Sequence, residues 1–138
     1  MLNLKILTRM STIFDGEITS VLVPGAAGQM EILAGHMPII STLETGIIRI
    51  KADGEAYYFT ISRGILSLVN NDVTIFSDAS ESPAEIDADR SIAARERAEK
   101  RVDQFKDKPT SHEYKRAYYS MKRAENRLVL LEVSKKKN

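Results

Sequence analysis

The chain has 138 residues, a formal net charge of +1 and no cysteine. That length suits one ordinary domain or two small ones. The missing cysteine excludes disulfides, thiolate metal sites and a cysteine nucleophile, and it fits a reducing compartment. The near-neutral balance argues against nucleic acid as a partner.

No apolar run approaches the roughly 18 residues of a membrane span. The opening MLNLKILTRM lacks a long apolar core followed by small residues, so no signal peptide is expected. A soluble, cytoplasmic protein is the first expectation. The small net charge hides a division. Residues 1–85 carry 5 basic and 10 acidic side chains, whereas residues 86–138 carry 15 and 9. All seven glycines fall at or before Gly64. These shifts meet near Ser82-Pro83-Ala84-Glu85, which predicts two domains, 1–85 and 86–138.

In the first domain, Leu2, Leu4 and Ile6 alternate with Asn3 and Lys5, the period of a half-buried strand. Ile18 to Val23 is rich in β-branched residues and stops at Pro24-Gly25. Residues 23–38, VPGAAGQMEILAGHMP, are too broken for a helix and read as strand-like segments around a Gly-His-x-Pro turn. Asp53-Gly54 separates the runs 46–52 and 55–62, a hairpin signal, because both central residues of such a turn need positive φ. Asn70-Asn71 separates a second pair, 64–69 and 73–76. Short strands at this spacing predict an antiparallel sandwich or barrel. No nucleophile elbow or phosphate loop is present. Three readings stay open for His36: a structural turn residue, an interface contact, or a metal ligand.

From Ile86 onward glycine vanishes, and alanine, arginine and glutamate dominate. Ile92, Ala94, Ala98, Val102 and Phe105 form a narrow apolar seam on a first predicted helix. Lys108-Pro109 breaks the pattern. Thr110-Ser111-His112-Glu113 reads as a capping box with Thr110 as the cap. A second helix carries Tyr114, Ala117, Tyr118, Met121, Ala124, Leu128 and Leu131 on one face and is expected to fray into Lys135-Lys136-Lys137. The prediction is an antiparallel hairpin, with small residues allowing close approach. So thin a seam needs further packing for stability, which marks the hairpin as a candidate moving part.

Arg90 and Arg97 share a face of the first helix, and Arg123 and Arg127 share one on the second. If the faces match, four guanidinium groups converge and repel unless an anion or water screens them. Asp87 and Asp89 suit the N-terminal end of the helix dipole. Solvated charge, an acidic protein surface and a nucleotide phosphate are the competing readings of this cluster.

With these residues in view, the chain resembles the ε subunit of bacterial and chloroplast-type F-type ATP synthases. The matching residues run in order along nearly the whole chain. They begin with Phe14-Asp15-Gly16-Glu17, Ser20-Val21, Val23-Pro24-Gly25, Gly28, Ile32-Leu33 and Gly35-His36-x-Pro38. Leu43-x-x-Gly46, Arg49 and Arg63-Gly64 follow, then Ile86-Asp87-x-x-Arg90 and Lys122-Arg123-Ala124-x-Asn126-Arg127-Leu128. The Pro-Gly…Gly…Gly-His-x-Pro series is the specific part.

The resemblance implies a β-sandwich followed by a two-helix hairpin, and a non-catalytic role in the central rotor. The expected partners are the γ subunit and the c-subunit ring, with the catalytic β and α subunits when the hairpin extends. Nucleic acid is not expected, and the membrane is reached only through the complex, at the cytoplasmic face of the plasma membrane. Such a subunit couples rotation driven by protons or sodium ions to the catalytic head, and its hairpin blocks ATP hydrolysis when extended. Gly28, Gln29, Glu31, His36, Met37 and Pro38 are the implied γ and c-ring contacts. Gln29 stands where glutamate is common in the family, and Met37 replaces the usual alanine.

No cofactor is required, but some members bind ATP as a regulatory ligand between the helices. The matching positions are Ile86, Asp87, Arg90, Arg123 and Arg127, with Ser91 where alanine is usual; Arg97 is added to this candidate site from the arginine cluster. The alternative from a different class is a free-standing nucleotide-sensing module using the same arginines. An enzyme is disfavoured by the lack of a nucleophile–base or metal constellation.

Overall fold

A computed structural model describes residues 1–135. Lys136 and Lys137, expected in the fraying end of the second helix, lie outside the described residues. The chain divides into two compact units between Ser82 and Pro83.

The first unit contains nine strands: β1 (Leu2–Leu7), β2 (Thr12–Ile18), β3 (Ser20–Gly25), β4 (Gly28–Leu33), β5 (Ile39–Leu43), β6 (Gly46–Ala52), β7 (Glu55–Ile61), β8 (Gly64–Val69) and β9 (Asp72–Ser77). They hydrogen-bond in the order β2-β1-β9-β8-β5-β3-β6-β7, with β4 added on β3. Between β5 and β3 only Gly25 and Leu43 pair, so the sheet bends there into two layers. The corner is closed by Ala26 N donating to Thr42 O at 3.2 Å and Glu44 N to Pro24 O at 2.8 Å.

Alternation decides what lies between the layers. In β1 the side chains of Leu2, Leu4 and Ile6 are buried while Asn3 and Lys5 are exposed. Val21, Val23, Ile32, Leu43, Ile48, Ile50, Ile61, Leu66, Leu68, Val73 and Ile75 complete one core. Each large aliphatic side chain removed from water in this way contributes about 1.5–3 kcal/mol. Phe14 of β2 meets Phe59 of β7 edge to face, with ring centroids 6.1 Å apart.

The sandwich expected from the sequence is present, with one difference of direction. β1 runs parallel to β9, whereas the other strand pairs are antiparallel. The Asp53-Gly54 and Asn70-Asn71 turns form as expected, with φ of 52° and 77° in the first and 50° and 63° in the second. The single run expected over 18–23 is interrupted at Thr19, where β2 gives way to β3. β2, β4 and β5 were not individually legible. Adjacent apolar pairs, Ile13-Phe14, Ile32-Leu33 and Ile39-Ile40, interrupt their alternation, and the β3–β4 turn is Ala26-Ala27, which carries no turn signature.

The second unit starts with one 3-10 turn, Pro83–Glu85, followed by α1 (Ala88–Gln104) and α2 (His112–Lys135). Asp87 caps α1, its side chain accepting from Arg90 N at 3.0 Å. The cap of α2 is Ser111, whose Oγ accepts from Tyr114 N at 3.2 Å. The expected Thr110 cap with Glu113 is therefore corrected by one residue, and Tyr114 at the third position has no carboxylate to close the box. α1 ends at Gln104, before the Lys108-Pro109 break, with Phe105 as its C-cap. The seam of α1 is also corrected: Ser91 and Ala98, seven apart, are buried, whereas Ile92 is 37% exposed. Ile92 lies one residue off the stripe. On α2, Ala117 and Ala124 take the matching positions, and Leu130, outside the predicted seam, is fully buried.

Candidate functional site

The helical unit holds an arginine-lined cleft. Arg97 and Arg101 lie one turn apart on α1, and Arg123 and Arg127 lie one turn apart on α2. All four line a cleft of about 320 Å³ with Ala94, Ala98, Ala117 and Ser120. The alanines allow the helices to approach and leave room for the longer side chains above them. Arg123 Nη2 donates to Ser120 Oγ at 3.2 Å. Among the described residues, no carboxylate lies within ion-pair distance of Arg97, Arg101 or Arg123, whereas Arg95 pairs with Glu99, Lys106 with Asp103 and Lys122 with Glu125. The volume is at the lower end of small-molecule sites, and the chemistry is that of an anion receptor, since guanidinium forks match phosphate and carboxylate oxygens.

The structure brings together three of the sequence-predicted arginines and adds a fourth. Arg97, Arg123 and Arg127 line the cleft, and Arg101 stands with them instead of Arg90. Arg90 shares their helix face, but it is seven residues before Arg97, about 10 Å along the axis at about 1.5 Å per residue. Its side chain is exposed. Ile86, Asp87 and Ser91 do not line the cleft either. Ile86 N donates to Pro83 O at 3.2 Å, Asp87 is engaged as the N-cap, and Ser91 is buried. Arg101 was missed, although its four-residue spacing from Arg97 repeats that of Arg123 and Arg127.

In the sandwich unit, β4 puts Gln29, Glu31 and Leu33 on its exposed face and Met30 and Ile32 inward. Glu31 Oε2 accepts from Arg49 Nη2 of β6 at 3.3 Å, across the intervening β3. The pair is partly exposed and contributes no more than about 1 kcal/mol. Gly28 opens β4, opposite Gly25. The next turn carries the other three predicted contacts. Gly35 has φ of 85°, a conformation that a side chain disfavours. His36 N donates to Leu33 O at 3.2 Å, and its Nδ1 lies 2.7 Å from Met37 O. Met37 and Ile40 are 78% and 79% exposed, and Pro38 is exposed between them. Ile65 and Phe76, direct cross-strand neighbours, are also exposed. Leu33, Ile40, Ile65 and Phe76 were not anticipated as surface residues, because strand periodicity does not say which face is covered.

An arginine-lined cleft in the hairpin and exposed apolar side chains around a turn of the sandwich are features of binding surfaces. Residues 1–83 match the family described as ATP synthase, Delta/Epsilon chain, beta-sandwich domain. Residues 84–132 match that described as ATP synthase, Delta/Epsilon chain, long alpha-helix domain. The ATP synthase epsilon chain of Caldicellulosiruptor bescii is 39% identical over 132 residues, covering 96% of this chain and 94% of the relative. That of Halalkalibacterium halodurans is 34% identical over 127 residues, covering 92% and 94%. The chain belongs to the ATP synthase delta/epsilon family, and its role there is non-catalytic.

The fold is shared with a chain in the Euglena gracilis mitochondrial ATP synthase, OSCP/F1/c-ring assembly, at TM-score 0.78 and 20% identity over 96% of this chain and 80% of that one. A chain of the Tetrahymena thermophila mitochondrial ATP synthase central stalk/c-ring gives TM-score 0.52 and 15% identity, covering 61% and 68%. No helix among the described residues is long and apolar enough to cross a membrane.

Proposed function

We propose that the chain is the ε-type subunit of a bacterial rotary ATP synthase, with the sandwich as anchor on γ and the c ring and the hairpin as an ATP-sensitive brake. The family membership supports the place in the complex. The anchor is assigned to Gly28, Gln29, Glu31, His36, Met37 and Pro38. Exposed apolar groups such as Met37 and Ile40 gain free energy on docking, and contiguous patches of them mark interaction sites.

The four-arginine cleft carries the regulatory half of the reading. In the compact hairpin, Arg97, Arg101, Arg123 and Arg127 line one cleft, and ATP phosphates bind there. When the helices separate, that cleft is lost. ATP therefore binds the compact form better and shifts the population toward it by its differential affinity. Without ATP, the basic helices extend toward an acidic surface of the catalytic β subunit, where complementary charge favours encounter. The subunit is peripheral, at the cytoplasmic face of the plasma membrane.

The test is ATP hydrolysis by the αβγ complex, with the full chain or with residues 1–82, and with binding to γ measured in parallel. The sandwich core lies wholly within residues 2–75, so the shorter chain is expected to fold. Both forms are expected to bind γ, and only the full chain to suppress hydrolysis. Arg123→Ala is expected to weaken ATP binding and to strengthen suppression when ATP is present. If neither form binds γ, the anchor reading fails and a free-standing nucleotide sensor takes its place. If both bind and neither suppresses, the brake is lost and a coupling role remains.

A further inference from the structure

Asn71 lies far in sequence from the docking turn, yet it is bonded to it. Its Oδ1 accepts from Gly35 N at 2.8 Å, across 36 residues of sequence. That bond ties the Gly35–Pro38 turn to a distant element, whereas the bonds of His36 N to Leu33 O and of His36 Nδ1 to Met37 O are local. Asn71 is itself held. It sits in the β8–β9 turn with φ of 63°, a left-handed conformation that asparagine, aspartate and glycine tolerate and most other residues do not. Its carbonyl accepts from Asn3 N at 2.9 Å, and Asn3 Nδ2 donates to Asp72 Oδ1 at 3.2 Å. The β8–β9 turn is thus tied to the first strand on one side and reaches the docking turn on the other.

We propose that Asn71 is a positioning residue for docking: its side-chain carbonyl fixes the Gly35 amide and so holds His36, Met37 and Pro38 in the presented geometry. The inference rests on the assignment of that turn to the γ and c-ring contact. The physical argument is preorganisation. Met37 is largely exposed, so its own packing restrains it little. A turn restrained before binding loses less conformational entropy at the interface than a loose one. The left-handed backbone explains why the residue is asparagine: glycine would keep the conformation without the acceptor, and a longer or branched acceptor would strain the turn.

That distinction supplies the experiment. Asn71→Gly keeps the backbone and deletes the acceptor. Asn71→Asp keeps both the backbone tolerance and an oxygen for the Gly35 amide. Full-length wild type and both variants are titrated against the γ–c-ring subcomplex, with Tm and Gly35 amide exchange measured on each free protein. The expected result is a loss of affinity of about three- to tenfold for Asn71→Gly, the equivalent of one net hydrogen bond. Gly35 exchange should be faster, Tm nearly unchanged, and most of the affinity restored in Asn71→Asp. Wild-type affinity in Asn71→Gly overturns the proposal, as does an equal loss in both variants that follows a fall in Tm. If wild type itself does not bind the subcomplex, the docking assignment has failed and the role of Asn71 falls with it, an outcome separate from a variant that binds normally.

Discussion

Arg101 and Arg90 carry the same charge on the same helix face, and only position along the axis separates them. Arg101 shares the cleft with Arg97, Arg123 and Arg127, and Arg90 does not. Removing a cation from a converging set removes a charge-assisted hydrogen bond, whereas removing an exposed one elsewhere changes only a screened, distant charge. Arg101→Gln is therefore expected to weaken ATP binding by roughly tenfold or more, and Arg90→Gln by about twofold or less. Isothermal titration of the two variants checks this, and equal losses would place the phosphates nearer the start of α1. Residue identity was legible here, since arginines at helical spacing announce a cationic face. The level at which the faces meet was not, because it depends on the loop and on where each helix starts.

The two helices show how far local chemistry specifies an element. Asp87 and Ser111 are both short oxygen-bearing side chains that satisfy amides left free by the first turn of a helix. Thr110 and Ser111 are adjacent, and both are capping types, serine the stronger. The capping-box pattern favours Thr110, yet the helix starts at His112 and Ser111 bonds Tyr114 N. Ser111→Ala is expected to cost about 1 kcal/mol of helix stability, and Thr110→Ala a few tenths at most. Amide exchange in the first turn of α2 distinguishes them, with faster exchange expected only in Ser111→Ala. The same one-residue uncertainty accounts for Ile92. A 3.6-residue period tolerates a neighbour on either side, and the buried stripe settles on Ser91 and Ala98 because small side chains let the helices close.

At the scale of the whole molecule, the two units carry opposite charges, which suits the proposed division into an anchor and an effector. The first 85 residues carry an excess of acidic groups and the rest an excess of basic ones. If the hairpin acts on an acidic partner surface, its on-rate depends on salt while the apolar docking of the sandwich does not. Suppression of ATP hydrolysis is expected to weaken several-fold between low and high ionic strength, with binding to γ nearly constant. Parallel loss of both would mean that charge also drives the anchor.

Much of this architecture follows from order and type of residue alone. Alternation places Leu2, Leu4 and Ile6 inside, and Asp53-Gly54 and Asn70-Asn71 set two hairpins through backbone conformations that few residues tolerate. The shift in charge and composition near Ser82-Pro83-Ala84-Glu85 marks where strands give way to helices. These are local properties, encoded within a few residues of where they act. The parallel pairing of β1 with β9, the contact of Arg49 with Glu31 across β3, the entry of Arg101 into the cleft and the bond from Gly35 to Asn71 join positions whose meeting no local pattern encodes. Each required the chain to close on itself, because the distances that decide them exist only after the layers and helices have packed.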